Sequence, residues 1–409
     1  MKICLVKYGF YENAASLMQF ATSLADRGDV VDVITLGRKG QPYSECIDGV
    51  EIFRLSTRTV NEVHRLTYLF RVIVFFFRCA VLLSARHLVH PYDVIHVQSV
   101  PDFLVFAAAF AKLLGASVIL DMHESVPEFY AAKFKEGQHS FSFHALLFVE
   151  KLSAAFADHV LIPNPLWYER MVLRSVRKAK CSLVRYLPDP KIFYPRPRRR
   201  IDSKFLMIYP GTLNAHQGID VGIRAFARLS ENFPCAEFHI YGEGSAKSQL
   251  VSLTRFLQRT QQIRFYDMVP KSRLPALLSE YDLGIVPKRA SCSFGNEAES
   301  TKILELMAVG VPVVVSKTKI DSFYHSEETV QFFESDNDAN LAECIRSLVN
   351  NPAVRHRLVA NGREYFRNNN WNTVKPLYLN IIDNLNPHLR AGYTNDQTGR
   401  LSEPDSFAQ

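Results

Sequence analysis

At 409 residues, with 47% apolar and 22% charged side chains, the chain is too long for one ordinary domain and comfortable for two, and its composition excludes a disordered or integral membrane protein. Its net charge of +7 is modest and partly concentrated in Pro195–Arg200 (PRPRRR), a segment predicted to be a linker, so no nucleic-acid partner is expected. Seven cysteines are scattered without a Cys-x-x-Cys or a neighbouring His, a pattern that points to neither a zinc site nor a disulfide framework.

The N-terminus enters a strand-like segment, Met1–Val6 (MKICLV), without the longer apolar stretch and cleavage site of a signal peptide, and a cytoplasmic location is expected. A helical pattern over Ala14–Arg27 ends at Gly28, a C′ residue, and Val30–Leu36 reads as the next strand. Leu66–Leu83 (LTYLFRVIVFFFRCAVLL) carries a helical apolar stripe and is apolar on its other face as well, apart from Arg71 and Arg78. A spanning helix is disfavoured, because each arginine costs about 3 kcal/mol at the bilayer centre. The segment fits a buried helix with snorkelling arginines as well as a helix lying on an anionic membrane surface.

Strand-like Asp93–Gln98, helical Phe103–Leu114, strand-like Ser117–Asp121, helical Phe143–Phe156 and strand-like His159–Ile162 complete a first alternating unit. The alternation restarts at Phe205–Tyr209 and runs to Val311–Ser316 (VPVVVS). The fold expected is α/β, with two Rossmann-like doubly wound parallel-sheet domains facing a cleft: residues 1–190 and 205–370, joined by a basic linker at 191–204. Residues 371–387 are read as a helix crossing back to the first domain, and 388–409 as a disordered polar tail.

Chemistry concentrates in Ser293–Ser316 (SFGNEAESTKILELMAVGVPVVVS). Ser300 or Thr301 can cap a short helix ending before Gly310, and a buried parallel strand follows. The helix N-terminus suits a diphosphate, and Lys302 places a positive charge in the first turn, where a stability motif prefers Asp or Glu. Lys302 and Glu305 share one helix face, and Glu297 precedes the helix on a predicted loop. A carboxylate on the helix can accept ribose hydroxyls and one on the loop can reach sugar hydroxyls; a surface Lys–Glu pair and a solvated acid fit the spacing equally. Glu299 is read as a solvated loop acid, and His96, inside a strand, as a satisfied core residue.

Two glutamates with seven residues between them, followed by MAVGVPVVVS, resemble the donor-site signature of glycosyltransferase family four, the retaining GT-B enzymes. The resemblance extends through YDVIHVQ (92–98), GASVILDMHE (115–124), FADHV (156–160), PDPKIF (188–193), PGTLNAHQG (210–218), YGEG (241–244) and YDLGIVPKR (281–289). It implies a nucleotide diphosphate sugar as donor, a glycan or lipid-linked acceptor and retention of anomeric configuration, with neither cofactor nor metal. It assigns contact with the transferred sugar to Glu297, contact with the ribose to Glu305, and donor-sugar contact to His123. The remaining donor set becomes Gly211, Thr212, His216, Gln217, Gly242, Lys288, Arg289, Ser300, Thr301 and Lys302. Glu124, Glu128 and Tyr11 become acceptor-side candidates.

The sequence departs from the family at Thr212 and Gln217, where many members carry an Arg and a Lys for the diphosphate. Either loop amides with His216, Lys288, Arg289 and Lys302 supply the missing charge, which is the expectation here, or the donor site is weakened. YGFYEN (8–13) stands where the family has a double glycine, so the acceptor loop is expected to differ. Gly242–Gly244 lacks the third glycine of a dinucleotide fingerprint, and Asp336–Asp338 (DND), although it imitates a metal-binding Asp-x-Asp, reads as a surface turn. Competing readings are a nucleotide-sugar epimerase, a non-catalytic sugar-nucleotide binder, and a two-lobed solute-binding protein, which normally carries an export signal.

Overall fold

The computed structural model describes residues 1–57, 65–134 and 139–386; the proposed tail at 388–409 lies outside them. The first sheet takes its strands from the sequence up to residue 183: β1 (Lys2–Phe10), β2 (Val30–Gly37), β3 (Ser44–Ile47), β4 (Val50–Thr57), β5 (Val94–Gln98), β6 (Ser117–Asp121), β7 (His159–Ile162) and β8 (Cys181–Leu183). Their order is β3-β4-β2-β1-β5-β6-β7-β8, parallel except for β3 against β4. The second sheet contains β9 (Phe205–Pro210), β10 (Ala236–Tyr241), β11 (Ile263–Tyr266), β12 (Leu283–Val286), β13 (Val313–Ser316) and β14 (Gln331–Phe333), in the order β11-β10-β9-β12-β13-β14. The order reverses between β1 and β5 in one lobe and between β9 and β12 in the other. Ligands of doubly wound sheets enter at these switch points, beyond the carboxyl ends of the strands.

Six helices accompany the first sheet: α1 (Ala15–Arg27), α2 (Arg65–Val89), α3 (Ala109–Leu113), α4 (Val126–Phe134), α5 (Phe141–Phe156) and α6 (Pro165–Arg174). Eight lie with the second: α7 (Ile219–Leu229), α8 (Lys247–Phe256), α9 (Leu274–Leu278), α10 (Ser293–Glu297), α11 (Thr301–Val309), α12 (Lys319–Tyr324), α13 (Asp338–Asn350) and α14 (Pro352–Asn368). The central strands are largely apolar because helices cover both faces, and Ile3, Leu5 and Val6 on β1 have no exposed surface.

The last helix, α15 (Trp371–Asn384), leaves the second lobe and packs on the first sheet, where Trp371, Tyr378 and Ile382 share a core with Phe20, Ile3 and Leu5. Its polar groups are matched as well: Trp371 Nε1 donates to Ser23 Oγ at 2.8 Å, and Tyr378 OH lies 3.0 Å from His96 Nδ1. His96 is thus a core residue, bonded also to Asp121. In the linker, Arg198 and Arg200 each bind Asp282 at 2.6 Å, so this basic run is held on the second lobe.

Three local readings need correction. The helix read over Phe103–Leu114 is a 3₁₀ turn, Asp102–Ala108, followed by the short α3; Leu104, Val105 and Ala108 are buried and the turn packs against α2 and α5. The hairpin β3–β4 was not anticipated, although Asp48-Gly49, with φ of 50° and 78°, is the dipeptide that a two-residue hairpin turn favours. The segment before Glu297, read as loop, is the helix α10, capped by Cys292 Sγ accepting from the Gly295 N–H at 3.2 Å.

Candidate active site

The donor-side residues gather at the switch point of the second sheet. Gly211 follows β9, Gly242 follows β10, and the 3₁₀ turn Ala215–Gln217 leads through Gly218 into α7. Gly218 has φ of 65°, and a Cβ there would collide with the Pro287 carbonyl oxygen; a Cβ on Gly242 would collide with the Gly211 carbonyl oxygen. These two glycines let three strand-end loops lie against one another.

Into this concavity points the N-terminus of α11. Ser300 occupies the N-cap position, yet no side chain caps the helix, and Ser300 Oγ is buried without a hydrogen-bond partner. The expected Ser300 or Thr301 cap is therefore not made. Lys302 lies across Gly211, where any Cβ would strike its Cε, and its Nζ is 3.5 Å from Gln217 Oε1. Burial lowers the Lys302 pKa to about 8 despite the pull of Glu305. Gln217 also accepts from Tyr209 OH at 3.0 Å, so it orients the turn and offers no charge. Burial, with Lys302 and Lys288 nearby, lowers His216 to about 4; it is a neutral ring beside the lysine. The side chain of Thr212 is exposed, while its carbonyl accepts from Tyr209 OH. An uncapped helix N-terminus, a glycine loop and one buried ammonium can hold a diphosphate.

Glu305, one turn into α11, is 7% exposed, and burial raises its pKa against Lys271 and Lys302. Lys288 and Arg289 do not contribute free charge, contrary to the sequence reading. Lys288 Nζ binds Asp321 at 2.8 Å and donates to the Ala298 carbonyl at 2.7 Å, and Arg289 is bound by Asp220 and Asp336. Both cations are neutralised inside the lobe, where Lys288 instead fixes the stretch between Glu297 and α11. The DND segment, Asp336–Asp338, is a helix-start turn: Asn337 caps α13 and Asp338 binds Arg228.

The first lobe presents His123 just past β6, below the switch point. Its Nδ1 is buried without a hydrogen-bond partner, and burial together with Lys7 lowers its pKa to about 3, so the ring is neutral at working pH. Beneath it, Lys7 donates to Gln98 at 2.9 Å, Gln98 to Asp121 at 2.8 Å, and Tyr186 OH also bonds Asp121. Lys7 was not anticipated; its one signal is a charge directly after the apolar run Ile3–Val6 within β1. Glu124 follows His123 on the same loop. Glu128, read as an acceptor contact, is held by Arg174 and Ser125. Tyr11, also read as an acceptor contact, is a core residue at 2% exposure, and burial raises its phenol to about 12.

Glu297 faces across the cleft. Arg170 of α6 donates to both of its carboxylate oxygens at 2.7 Å, and Asn164 donates to its backbone carbonyl. Glu299 is not a solvated acid: Arg185 binds it at 2.5 Å, and burial raises its pKa against that pull. Neither arginine was singled out from the sequence. Among the described residues no group of His, Cys, Asp and Glu forms a metal cluster.

Two doubly wound lobes with facing switch points define the GT-B fold. Residues 192–365 match the family model described as glycosyl transferases group 1, and residues 14–186 match a glycosyl transferase 4-like domain. The chain belongs to the group 1 glycosyl transferases, the family-four GT-B proteins. It is similar to the amylovoran biosynthesis glycosyltransferase AmsK of Erwinia amylovora, 23% identical over 161 residues, which is 39% of this chain and 40% of the relative. The match thus spans about two fifths of that relative's length. Among solved structures, sucrose-phosphate synthase from Thermosynechococcus elongatus superposes with a TM-score of 0.73 at 19% identity, covering 96% of this chain and 100% of that one. Anabaena HepE, solved with UDP and glucose, has a TM-score of 0.68 at 14% identity, covering 96% and 99% of the two chains.

The buried lysine gives the cradle a pH signature. A folded pKa of about 8 means that the ammonium is lost as pH rises through that value, so affinity for inorganic pyrophosphate is expected to be highest below it and to weaken above it. Titration calorimetry across this range checks the expectation: Lys302→Arg should flatten the fall, and a wild type with pH-independent affinity would contradict it.

Proposed function

We propose that this protein transfers a sugar from a nucleoside diphosphate sugar to a glycan or lipid-linked acceptor in polysaccharide or glycolipid biosynthesis, retaining the anomeric configuration. The observation that carries the reading is the uncapped α11 N-terminus, with Ser300 Oγ unpartnered, Lys302 across Gly211, and Glu305 one turn beyond. As the glycosidic bond breaks, negative charge grows on the diphosphate, and the α11 amides and Lys302 meet it without a divalent ion. Glu305 binds the ribose hydroxyls. Glu297 lies against the transferred sugar, whose ring gains positive character, and His123 accepts or donates a hydrogen bond there as a neutral imidazole. No protein nucleophile and no cofactor enter this scheme.

Kinetics of two variants test it. Ribose contacts differ little between ground and transition states, so Glu305→Ala should raise the donor KM about tenfold to a hundredfold with a smaller change in kcat. The interaction of Glu297 strengthens in the transition state, so Glu297→Gln should lower kcat more than it weakens donor binding. Full activity in both variants contradicts the assignment. Glu299 is unsuited as a silent control, because its loss leaves Arg185 buried without its acid.

We further propose that the enzyme works at the cytoplasmic face of a membrane, held there by α2. Thr67–Val89 has the length and mean hydropathy, 1.9, of a membrane-crossing helix, but Val72, Phe75, Cys79 and Leu83 are buried on the sheet. Its outer face exposes Phe70, Phe77 and Val81, and neighbouring α3 adds Leu113. Residues 65–89 contain no Asp or Glu and four arginines, of which Arg86 is bound by Asp32 and Glu51 inside the lobe. Arg78 is folded back onto the Leu55 carbonyl at 3.0 Å, so apolar insertion, more than this arginine, supplies the attachment. Wild type should co-sediment with phosphatidylglycerol vesicles, and Phe70→Asp with Phe77→Asp should release it; a wild type that stays in the supernatant rules the attachment out.

A further inference from the structure

The sugar-side glutamate has its side chain held from the opposite lobe. α10 is only five residues long, and the chain leaves it in an extended conformation at Ala298, so it gives Glu297 little support of its own. The hydrogen-bond partners of Glu297 in the first lobe are Arg170, bound to both carboxylate oxygens, and Asn164, bound to the carbonyl. Phe294, one turn earlier, seats against first-lobe rings: its centroid is 5.2 Å from Phe129 and 6.2 Å from the stacked Trp167. On its own lobe it meets His216 at 5.1 Å. Glu305 is different, because the cations acting on it, Lys302 and Lys271, belong to its own lobe.

Arg170 is itself braced from behind. Glu128 Oε1 lies 3.9 Å from its Nη1, and Glu128 is held by Arg174, which also grips the buried Glu150 at 2.7 Å. Nη1 is enclosed with no acceptor at hydrogen-bond distance. The guanidinium therefore stands between an acid on the acceptor-side helix α4 and the acid on the donor-side segment.

We infer that Arg170 is a positioning residue for Glu297, setting the sugar-contacting carboxylate in place only when the two lobes are closed. The inference rests on the proposed contact of Glu297 with the transferred sugar. It divides donor recognition in two: the nucleotide half is held by groups of the second lobe alone, whereas the sugar half is engaged by a carboxylate that closure orients. An open molecule leaves Glu297 solvated and free to rotate; closure removes water from it and supplies its two hydrogen bonds together. Helix α6 thereby couples the loop after β6 to the donor sugar.

The test combines kinetics with a stability cycle on the full-length protein. Arg170→Ala should lower kcat about tenfold to a hundredfold while changing UDP affinity less than about twofold, and Arg170→Lys should recover part of the loss. In the Glu297→Gln background, Arg170→Ala should cost less than about a further twofold, because both changes remove one interaction. Independent, multiplying losses, or a parallel fall in UDP affinity, would overturn the inference. Should the wild type transfer no sugar from any nucleotide sugar tried, the proposed function falls. Thermal unfolding of Arg170→Ala, Glu297→Ala and the double variant still tests the contact: coupled shifts in Tm support it, and additive shifts overturn it.

Discussion

Two arginines of the first lobe each hold a carboxylate of the second: Arg170 binds Glu297 at 2.7 Å and Arg185 binds Glu299 at 2.5 Å. The acids flank Ala298, whose carbonyl is fixed by Lys288, and Ser300 follows at the start of α11. Every one of these charges is at least two thirds buried, so each needs its partner; removing either leaves a desolvated charge. This short stretch sets where the α11 N-terminus points and how the lobes meet. The Arg185 guanidinium also lies 3.7 Å from the Tyr324 ring centroid, which ties the exit of β8 to α12.

The chemistry follows from that constraint. Side chains cap the N-termini of α5, α6 and α12, whereas those of α1, α7, α8, α9 and α11 have none. What sets α11 apart is the buried, unpartnered Ser300 hydroxyl at its N-cap and a first-turn lysine whose ammonium is disfavoured by burial. Such an arrangement is poor for the empty protein and good for an anion, which supplies the missing acceptors and the missing charge at once. The same lobe neutralises Lys288 and Arg289 internally, leaving the α11 amides and Lys302 facing the crevice. In the proposed donor site, with Thr212 and Gln217 uncharged and Lys288 and Arg289 paired, Lys302 is the cation beside the α11 N-terminus.

Local chemistry was legible in the sequence wherever a residue acts through its neighbours. Gly28 and Gly310 end helices in the left-handed conformation, and the apolar runs of β1, β5 and β13 are buried on both faces. The short helix that carries Lys302 and Glu305 was legible for the same reason, since its N-cap position, both side chains and its terminating Gly310 are close in the chain. Partners supplied by the fold were not. Arg170 is 127 residues from Glu297 and Arg185 is 114 from Glu299, and nothing in PLWYERM or SLVRYL distinguishes them from surface arginines. Glu299 was read as a solvated acid because nothing near it in the chain supplies a cation, and the ion pairs that hold Glu128 and Lys288 likewise come from distant residues, Arg174 and Asp321. Tyr11 was misplaced because the loop after β1 is a 3₁₀ turn folded inward under α1.

Under the proposed function, the α11 amides and Lys302 stabilise the departing diphosphate without a divalent ion. Product formation in excess EDTA, with the anomeric configuration read by NMR, tests it most directly. The account predicts undiminished turnover and a product that keeps the donor's configuration. An inverted product, or activity lost with EDTA and restored by manganese or magnesium, would contradict it.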